Sequence, residues 1–201
     1  MSDDGSASPA AVLRSLVARA VDTDRADLDE RIEVVEGRSG SGTGDADGVD
    51  RRTPAGRLAE LVGEADSVVA VVPSVDADLA RRLNESLAAG ADEADGGNEA
   101  GPGADAPREA RVVFTGSAAD RLAGATGTVV RRVLADRGVD AYRHGGESPV
   151  AVVLADERAA VGLVGGGGVA VLLWTGDAAV REWAAETCRR YLDAAERVTD
   201  G

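Results

Sequence analysis

The chain has 201 residues and a formal net charge of −14, from 36 acidic and 22 basic side chains. Every basic residue is an arginine, and the absence of lysine excludes Schiff-base catalysis and a phosphate-loop lysine. One cysteine and one histidine cannot form a disulfide or a clustered zinc or iron site, so we predict no metal and no cofactor.

The acidity points to an environment rather than to a basic partner. An acidic, lysine-free chain rich in Ala, Val and Gly is typical of halophilic archaea, where surface charge maintains solubility in high salt. The arginines are scattered among acids, so we expect no direct nucleic-acid binding. Residues 1–8 lack the apolar segment of a secretion signal, and no apolar run approaches the roughly 20 residues that span a bilayer. We therefore expect a cytoplasmic protein without a membrane partner.

The first 30 residues are predicted to form a disordered tail and a linker-like helix. The helix covers residues 9–20, where apolar side chains recur at helical spacing, and we expect it to extend through residues 26–31. A short strand is predicted at residues 32–35. Thr53 and Pro54 then begin a second helix as its N-cap and its first-turn proline.

The middle of the chain alternates strands with helices. Residues 68–72 are a continuous apolar run, typical of a strand buried on both faces, and a helix is predicted from Ser74 or Asp76 to Gly90. A strand at 111–115, helices at 118–123 and 128–137, and a strand at 139–142 follow. In the later helix we expect Val130, Val133 and Leu134 to face inward.

Two segments interrupt this pattern, at residues 37–50 and 91–109. Both are rich in glycine and acidic residues and contain too little apolar surface to offset the entropy of ordering. We predict that they are disordered insertions in a single α/β domain that covers residues 31–198.

The C-terminal block has the clearest pattern. Apolar runs at 150–155, 159–164 and 169–174 are separated by turns, the second of them at glycines 165–168, and predict a β-meander. A long amphipathic helix follows, with Trp183 and Cys188 on its apolar face and Arg181 on its polar face. We expect Cys188 to be a core residue and Trp183 to pack near Trp174. The order of elements predicts an α/β sandwich with a mixed sheet.

This order resembles the effector domain of TrmB-like archaeal transcriptional regulators, which has a phospholipase-D-like fold. The likeness covers residues 9–198 and rests on three features: the helix that begins Pro9-Ala10-Ala11-Val12-Leu13, the helix–strand unit at 57–73, and the terminal block at 150–191. It implies a mixed sheet flanked by helices, ending in a β-meander and a long helix.

The resemblance also implies a function. It suggests a non-catalytic regulatory domain that senses a small-molecule ligand or mediates dimerisation. The winged-helix DNA reader of the family has no counterpart in this sequence. We therefore expect the domain to act as a homodimer or by pairing with a complete regulator.

Catalytic members of the fold carry a His-x-Lys-x-x-x-x-Asp signature, with a nucleophilic histidine and a phosphate-binding lysine. If Asp156 takes the aspartate position, Pro149 and Ala151 stand at the histidine and lysine positions. Neither side chain can attack or bind a phosphate. The resemblance therefore implies that the chain has no phosphodiesterase activity by this mechanism.

Three residues are candidates for ligand binding. Arg143 and His144 end a predicted strand, at the carboxyl edge where α/β sheets tend to bind ligands, and Asp156 is the surviving signature residue. The alternatives are an exposed loop histidine and an ordinary turn aspartate. Residues 124–128 precede a helix and suit either an anion or simple capping. The functional alternative is a small α/β enzyme that acts on an anionic metabolite through the same three residues.

Overall fold

The computed structural model of the chain describes residues 8–37, 53–75, 80–81, 109–165 and 168–199. The predicted helix from Ser74 or Asp76 to Gly90 and the two predicted insertions fall, apart from a few terminal residues, outside this described part. The described helices are α1 (Pro9–Ala20), α2 (Arg25–Asp29), α3 (Pro54–Gly63), α4 (Gly116–Arg121), α5 (Gly124–Asp136) and α6 (Ala178–Asp193). The described strands are β1 (Glu33–Glu36), β2 (Ser67–Val72), β3 (Glu109–Phe114), β4 (Val139–Arg143), β5 (Ala151–Ala155), β6 (Arg158–Gly165), β7 (Gly168–Thr175) and β8 (Glu196–Arg197).

The strands form one mixed sheet in the order β1-β7-β6-β5-β2-β3-β4-β8. Strands β2, β3 and β4 are parallel to one another, and each of the other pairings is antiparallel. The predicted mixed sheet flanked by helices, with a C-terminal meander and a long helix, is therefore confirmed.

The helix starts follow the capping rules that the sequence suggested. The Thr53 hydroxyl accepts a hydrogen bond of 3.1 Å from the Gly56 amide, with Pro54 in the first turn of α3. The extension of the first helix through residues 26–31 is wrong. The chain leaves α1 at Asp22, which has a φ of 50°, and Asp24 caps the separate helix α2.

The predicted meander is confirmed. Strands β5, β6 and β7 pair antiparallel, and Gly165 is paired with Gly168 at the second turn. Gly168 has a φ of 102°, a conformation that L-residues rarely adopt, so this turn requires glycine. Strand β8 was not predicted, because a two-residue strand has no periodicity; α6 ends at Asp193 and leaves Glu196 free to pair with β4.

Helices cover both faces of the sheet, which we call the α6 face and the α3 face. On the α6 face, α1 and α6 pack on a cluster that includes Val71, Val161 and Leu173. On the α3 face, α3 packs on a cluster that includes Ala70 and Leu172. Helices α4 and α5 cover the β4 side of that same face.

Two predicted side-chain positions are wrong. Trp174 belongs to the α3-face cluster and Trp183 to the α6-face cluster, because adjacent strand residues alternate between faces. The two tryptophans therefore lie on opposite sides of the sheet. In α5, Val130 and Leu134 pack inward as expected, but Val133 is 46% exposed.

Candidate functional site

The carboxyl ends of β2, β3 and β4 lie at one edge of the sheet. Because β5 lies beyond β2 in the strand order, the chain from residue 144 to residue 150 must cross the ends of β3 and β2. We call this segment the crossing loop. It is held by a 3.2 Å hydrogen bond from the Gly116 amide to the Gly146 carbonyl. A second, of 3.1 Å, runs from the Tyr191 hydroxyl to the Glu147 carbonyl. The edge where a ligand was expected is therefore covered by the chain itself.

His144 lies in the crossing loop with a defined orientation. Its backbone amide donates to the Phe114 carbonyl and so continues the β3–β4 ladder by one residue. Its Nδ1 accepts a 2.9 Å hydrogen bond from the Gly146 amide. The half-buried ring meets the Tyr191 ring edge-on, with centroids 4.9 Å apart. Of its two nitrogens, Nε2 is the one that this local hydrogen bond leaves for another partner.

Arg143 does not share a surface with His144. Consecutive residues of an extended chain alternate between faces, and Tyr142 lies on the α6 face. Arg143 therefore faces the α3 side, where it is exposed, whereas His144 contacts Tyr191 on the α6 side. The sequence placed the Arg143 and His144 side chains at the correct edge. It could not show that they lie on opposite faces of the sheet.

Thr115 follows β3 at the same edge and was not among the predicted site residues. Its side chain is fully buried, and its hydroxyl has no hydrogen-bond partner in the described chain. No local sequence signal identifies such a residue, because burial at the end of a strand depends on segments that are distant in the sequence.

Asp156 lies at the opposite edge of the sheet. It forms the β5–β6 turn, and its carboxylate accepts hydrogen bonds from the amides of Asp66 (3.0 Å) and Ser67 (2.9 Å) at the start of β2. Its own amide donates to the Ser67 carbonyl, and its φ is 47°. Arg143, His144 and Asp156 therefore do not form one site.

If Asp156 takes the aspartate position of the catalytic signature, the histidine and lysine positions hold Pro149 and Ala151. Pro149 is exposed just before β5, and the Ala151 methyl group is buried opposite Gly162 of β6. With both Asp156 oxygens engaged by backbone amides, these positions offer neither a nucleophile nor a phosphate-binding cation.

Two shallow depressions flank Asp156, one on each face of the sheet. The depression on the α6 face has a volume of about 290 Å³ and that on the α3 face about 210 Å³. The first is lined by Leu154, Asp156, Ala178, Arg181, Glu182 and Ala185. The second is lined by Leu61, Glu64, Ala65, Ala155, Asp156, Glu157 and Arg158. Arg181, predicted on the polar face of the helix, is in fact half-buried on its flank.

Beside the second depression, two arginines approach Trp174. The Arg57 guanidinium lies 4.0 Å from the ring centroid and also pairs with Glu60, while the Arg158 guanidinium lies 5.7 Å away. Cation–π contacts of this kind stabilise a surface tryptophan. Arg57 and Arg158 pair with Glu60 and Glu64, whereas the buried Trp174 Nε1 has no hydrogen-bond partner in the described chain.

Cys188 is a core residue, as the sequence predicted. It is 1% exposed, and its thiol lies 3.7 Å from the Val69 carbonyl oxygen. Burial raises the pKa of the thiol to about 12, so Cys188 stays protonated at neutral pH. The neighbouring arginines do not lower its pKa.

The described residues contain no group of three or more His, Cys, Asp or Glu side chains that could hold a metal ion. Among the helices that the structure describes, none is long and apolar enough to cross a membrane.

Residues 103–194 match the model of a regulatory family, the middle domain of the methanogenesis regulatory protein FilR1. No curated protein sequence matches the chain. One similar solved structure is TrmBL2, an archaeal chromatin protein with a novel mode of DNA binding. The identity is 14%, the TM-score is 0.50, and the match covers 93% of this chain and 60% of that one. The chain thus spans 60% of the length of that relative.

Two further solved structures are similar to the chain. Nuc from Salmonella typhimurium, a phospholipase D family member, has 10% identity and a TM-score of 0.52, covering 84% of this chain and 98% of that one. NucT from Helicobacter pylori has 12% identity and a TM-score of 0.54, covering 83% and 99%. At these identities the likeness shows the fold alone. Together with the match to an archaeal regulator, it confirms the resemblance to the effector domain of TrmB-like archaeal transcriptional regulators.

Proposed function

We propose that this chain is a non-catalytic regulatory domain that senses a small molecule and passes the signal to a partner, either a second copy or a complete regulator. The family match supports regulation in general. The net charge of −14 and the scattered arginines favour a domain that does not itself hold DNA.

The proposed absence of catalysis rests on the residues at the three signature positions and on their hydrogen bonds. Pro149 and Ala151 have no reactive atoms, and the Asp156 carboxylate is engaged by the amides of Asp66 and Ser67. A phosphodiesterase needs a nucleophile and a group that stabilises the developing phosphoryl charge. The described residues at these positions supply neither.

The alternative was an enzyme that acts on an anionic metabolite through Arg143, His144 and Asp156. General acid–base catalysis requires the participating groups to reach one substrate within hydrogen-bond distance. Arg143 and His144 face different sides of the sheet, and Asp156 lies at the other edge. The geometry therefore favours the regulatory function.

A phosphodiesterase assay in molar salt tests this proposal, with bis(p-nitrophenyl) phosphate as substrate and a known phosphodiesterase as positive control. We expect no turnover by the full chain. Hydrolysis that is lost in Asp156→Asn but kept in the neighbouring variant Glu157→Gln would overturn the proposal. Purification from the native host at high salt then tests signalling, where we expect a TrmB-like regulator, identified by mass spectrometry, or a homodimer.

A further inference from the structure

We propose that the depression on the α6 face binds a small zwitterion, a free α-amino acid with a short apolar side chain. This inference rests on the proposed sensing function and assigns its ligand class. The depression lies between the flank of α6 and the end of β5, beside Asp156.

Arg181 is the group that points to a ligand carboxylate. It is half-buried, and its Nε is buried without a hydrogen-bond partner in the described chain. Among the ion pairs of the described residues, none includes Arg181, although the chain has 36 acidic side chains. A partly desolvated donor without a partner costs free energy, and a guanidinium group fits a carboxylate with two parallel hydrogen bonds.

The acidic lining points to a positive charge on the same ligand. Glu182 and Asp156 both line the depression, and Glu182 is exposed and takes part in none of the ion pairs of the described residues. A simple anion would be attracted by Arg181 but repelled by the two carboxylates. A simple cation would be attracted by the two carboxylates but repelled by Arg181. A ligand that carries a carboxylate and an ammonium group matches both signs.

The remaining lining sets the size and polarity of the ligand. Leu154, Ala178 and Ala185 are apolar and offer contact to a short aliphatic side chain. The start of α6 is not itself the binding element, since the Asp177 side chain already accepts from the amides of Ala179 and Val180. Recognition therefore depends on the charged side chains of Arg181, Glu182 and Asp156.

An NMR titration of the ¹⁵N-labelled full chain with L-alanine, at constant molar salt, tests the assignment. We expect saturable shifts of the Arg181 Nε–H signal and of the amides of residues 178–185. Propionate and ethylammonium, which lack the ammonium and the carboxylate group respectively, should bind at least tenfold more weakly. No saturable shift, or equal binding of propionate, would overturn the inference.

Matched variants test the roles of the two charges. Arg181→Gln should weaken L-alanine binding at least tenfold, whereas Arg189→Gln, at an exposed position of the same helix, should leave it unchanged. Glu182→Gln at an exposed position should weaken L-alanine binding but not propionate binding, and Glu186→Gln should do neither. Equal affinities for each variant and its control would overturn the assignment. Such a failure removes only the amino-acid ligand, while phosphodiester hydrolysis would overturn the regulatory proposal itself.

Discussion

Replacing Leu13 by alanine tests whether α1 is part of the domain or a linker. The sequence suggested a linker-like helix, but Leu13 is 0% exposed and packs in the α6-face cluster, where α1 contacts β7. A buried Leu→Ala change typically costs about 2–5 kcal/mol, against about 5–15 kcal/mol for the stability of a whole domain. Because the Leu13 side chain is fully buried, we expect a loss of about 3 kcal/mol.

The neighbouring residue provides the control. Val12 is 46% exposed, so Val12→Ala removes little packing and replaces a β-branched residue by the best helix former. We expect it to change the free energy of unfolding by less than about 0.5 kcal/mol. Urea unfolding in molar NaCl, followed by far-ultraviolet circular dichroism, measures both values. For a chain of this size, about 3 kcal/mol corresponds to a Tm lower by about 6–12 °C. Equal midpoints for the two variants would refute the packing of α1 on the sheet.

Three further predictions concern Asp156, Cys188 and the tryptophans. Asp156→Ala should destabilise the domain by about 1–3 kcal/mol in urea, because two amides at the start of β2 lose a charged acceptor. The control variant Glu157→Ala should have little effect. Equal losses of stability in the two variants would contradict the role of Asp156 as acceptor for these amides. Burial raises the Cys188 pKa to about 12, so the folded thiol stays protonated where the unfolded thiol ionises. Stability should therefore fall by about 1.4 kcal/mol per pH unit from about pH 9 to pH 12, and less so in Cys188→Ala; the same fall in both chains would assign it to other groups. The stability losses of Trp174→Leu and Trp183→Leu should add within about 0.5 kcal/mol, because the sheet separates the rings, and strong coupling would contradict that placement.

The local structure could be predicted wherever it depends on neighbouring residues. The turn between β6 and β7 depends on the positive φ of Gly168, and the start of α3 depends on the hydroxyl of Thr53 and the ring of Pro54. The burial of β2 in the middle of the sheet follows from its unbroken apolar run. For the turn and the helix start, the energy that selects the structure acts between residues a few positions apart, and for β2 the apolar run itself carries the signal.

The candidate site could not be predicted in the same way, because it depends on strand order. The sequence shows that β5 follows β4, but not that β5 pairs beyond β2 and so draws residues 144–150 across the carboxyl edge. It likewise cannot show that Asp156 ends at the amino edge of β2. Pairings over such distances are set by the packing of the whole sheet rather than by local preferences.

The same geometry gives Asp156 a structural role in the sheet. A turn that leaves β5 beside the start of β2 must satisfy two backbone amides that no strand reaches, and the Asp156 carboxylate does so at 2.9–3.0 Å. Asp also tolerates the φ of 47° better than most residues. The fold does not require a polar side chain at position 149 or 151. Pro149 is exposed in the crossing loop, and Ala151 fills the space opposite Gly162. The fold therefore depends on the Asp156 carboxylate at the start of β2 and makes no such demand on positions 149 and 151.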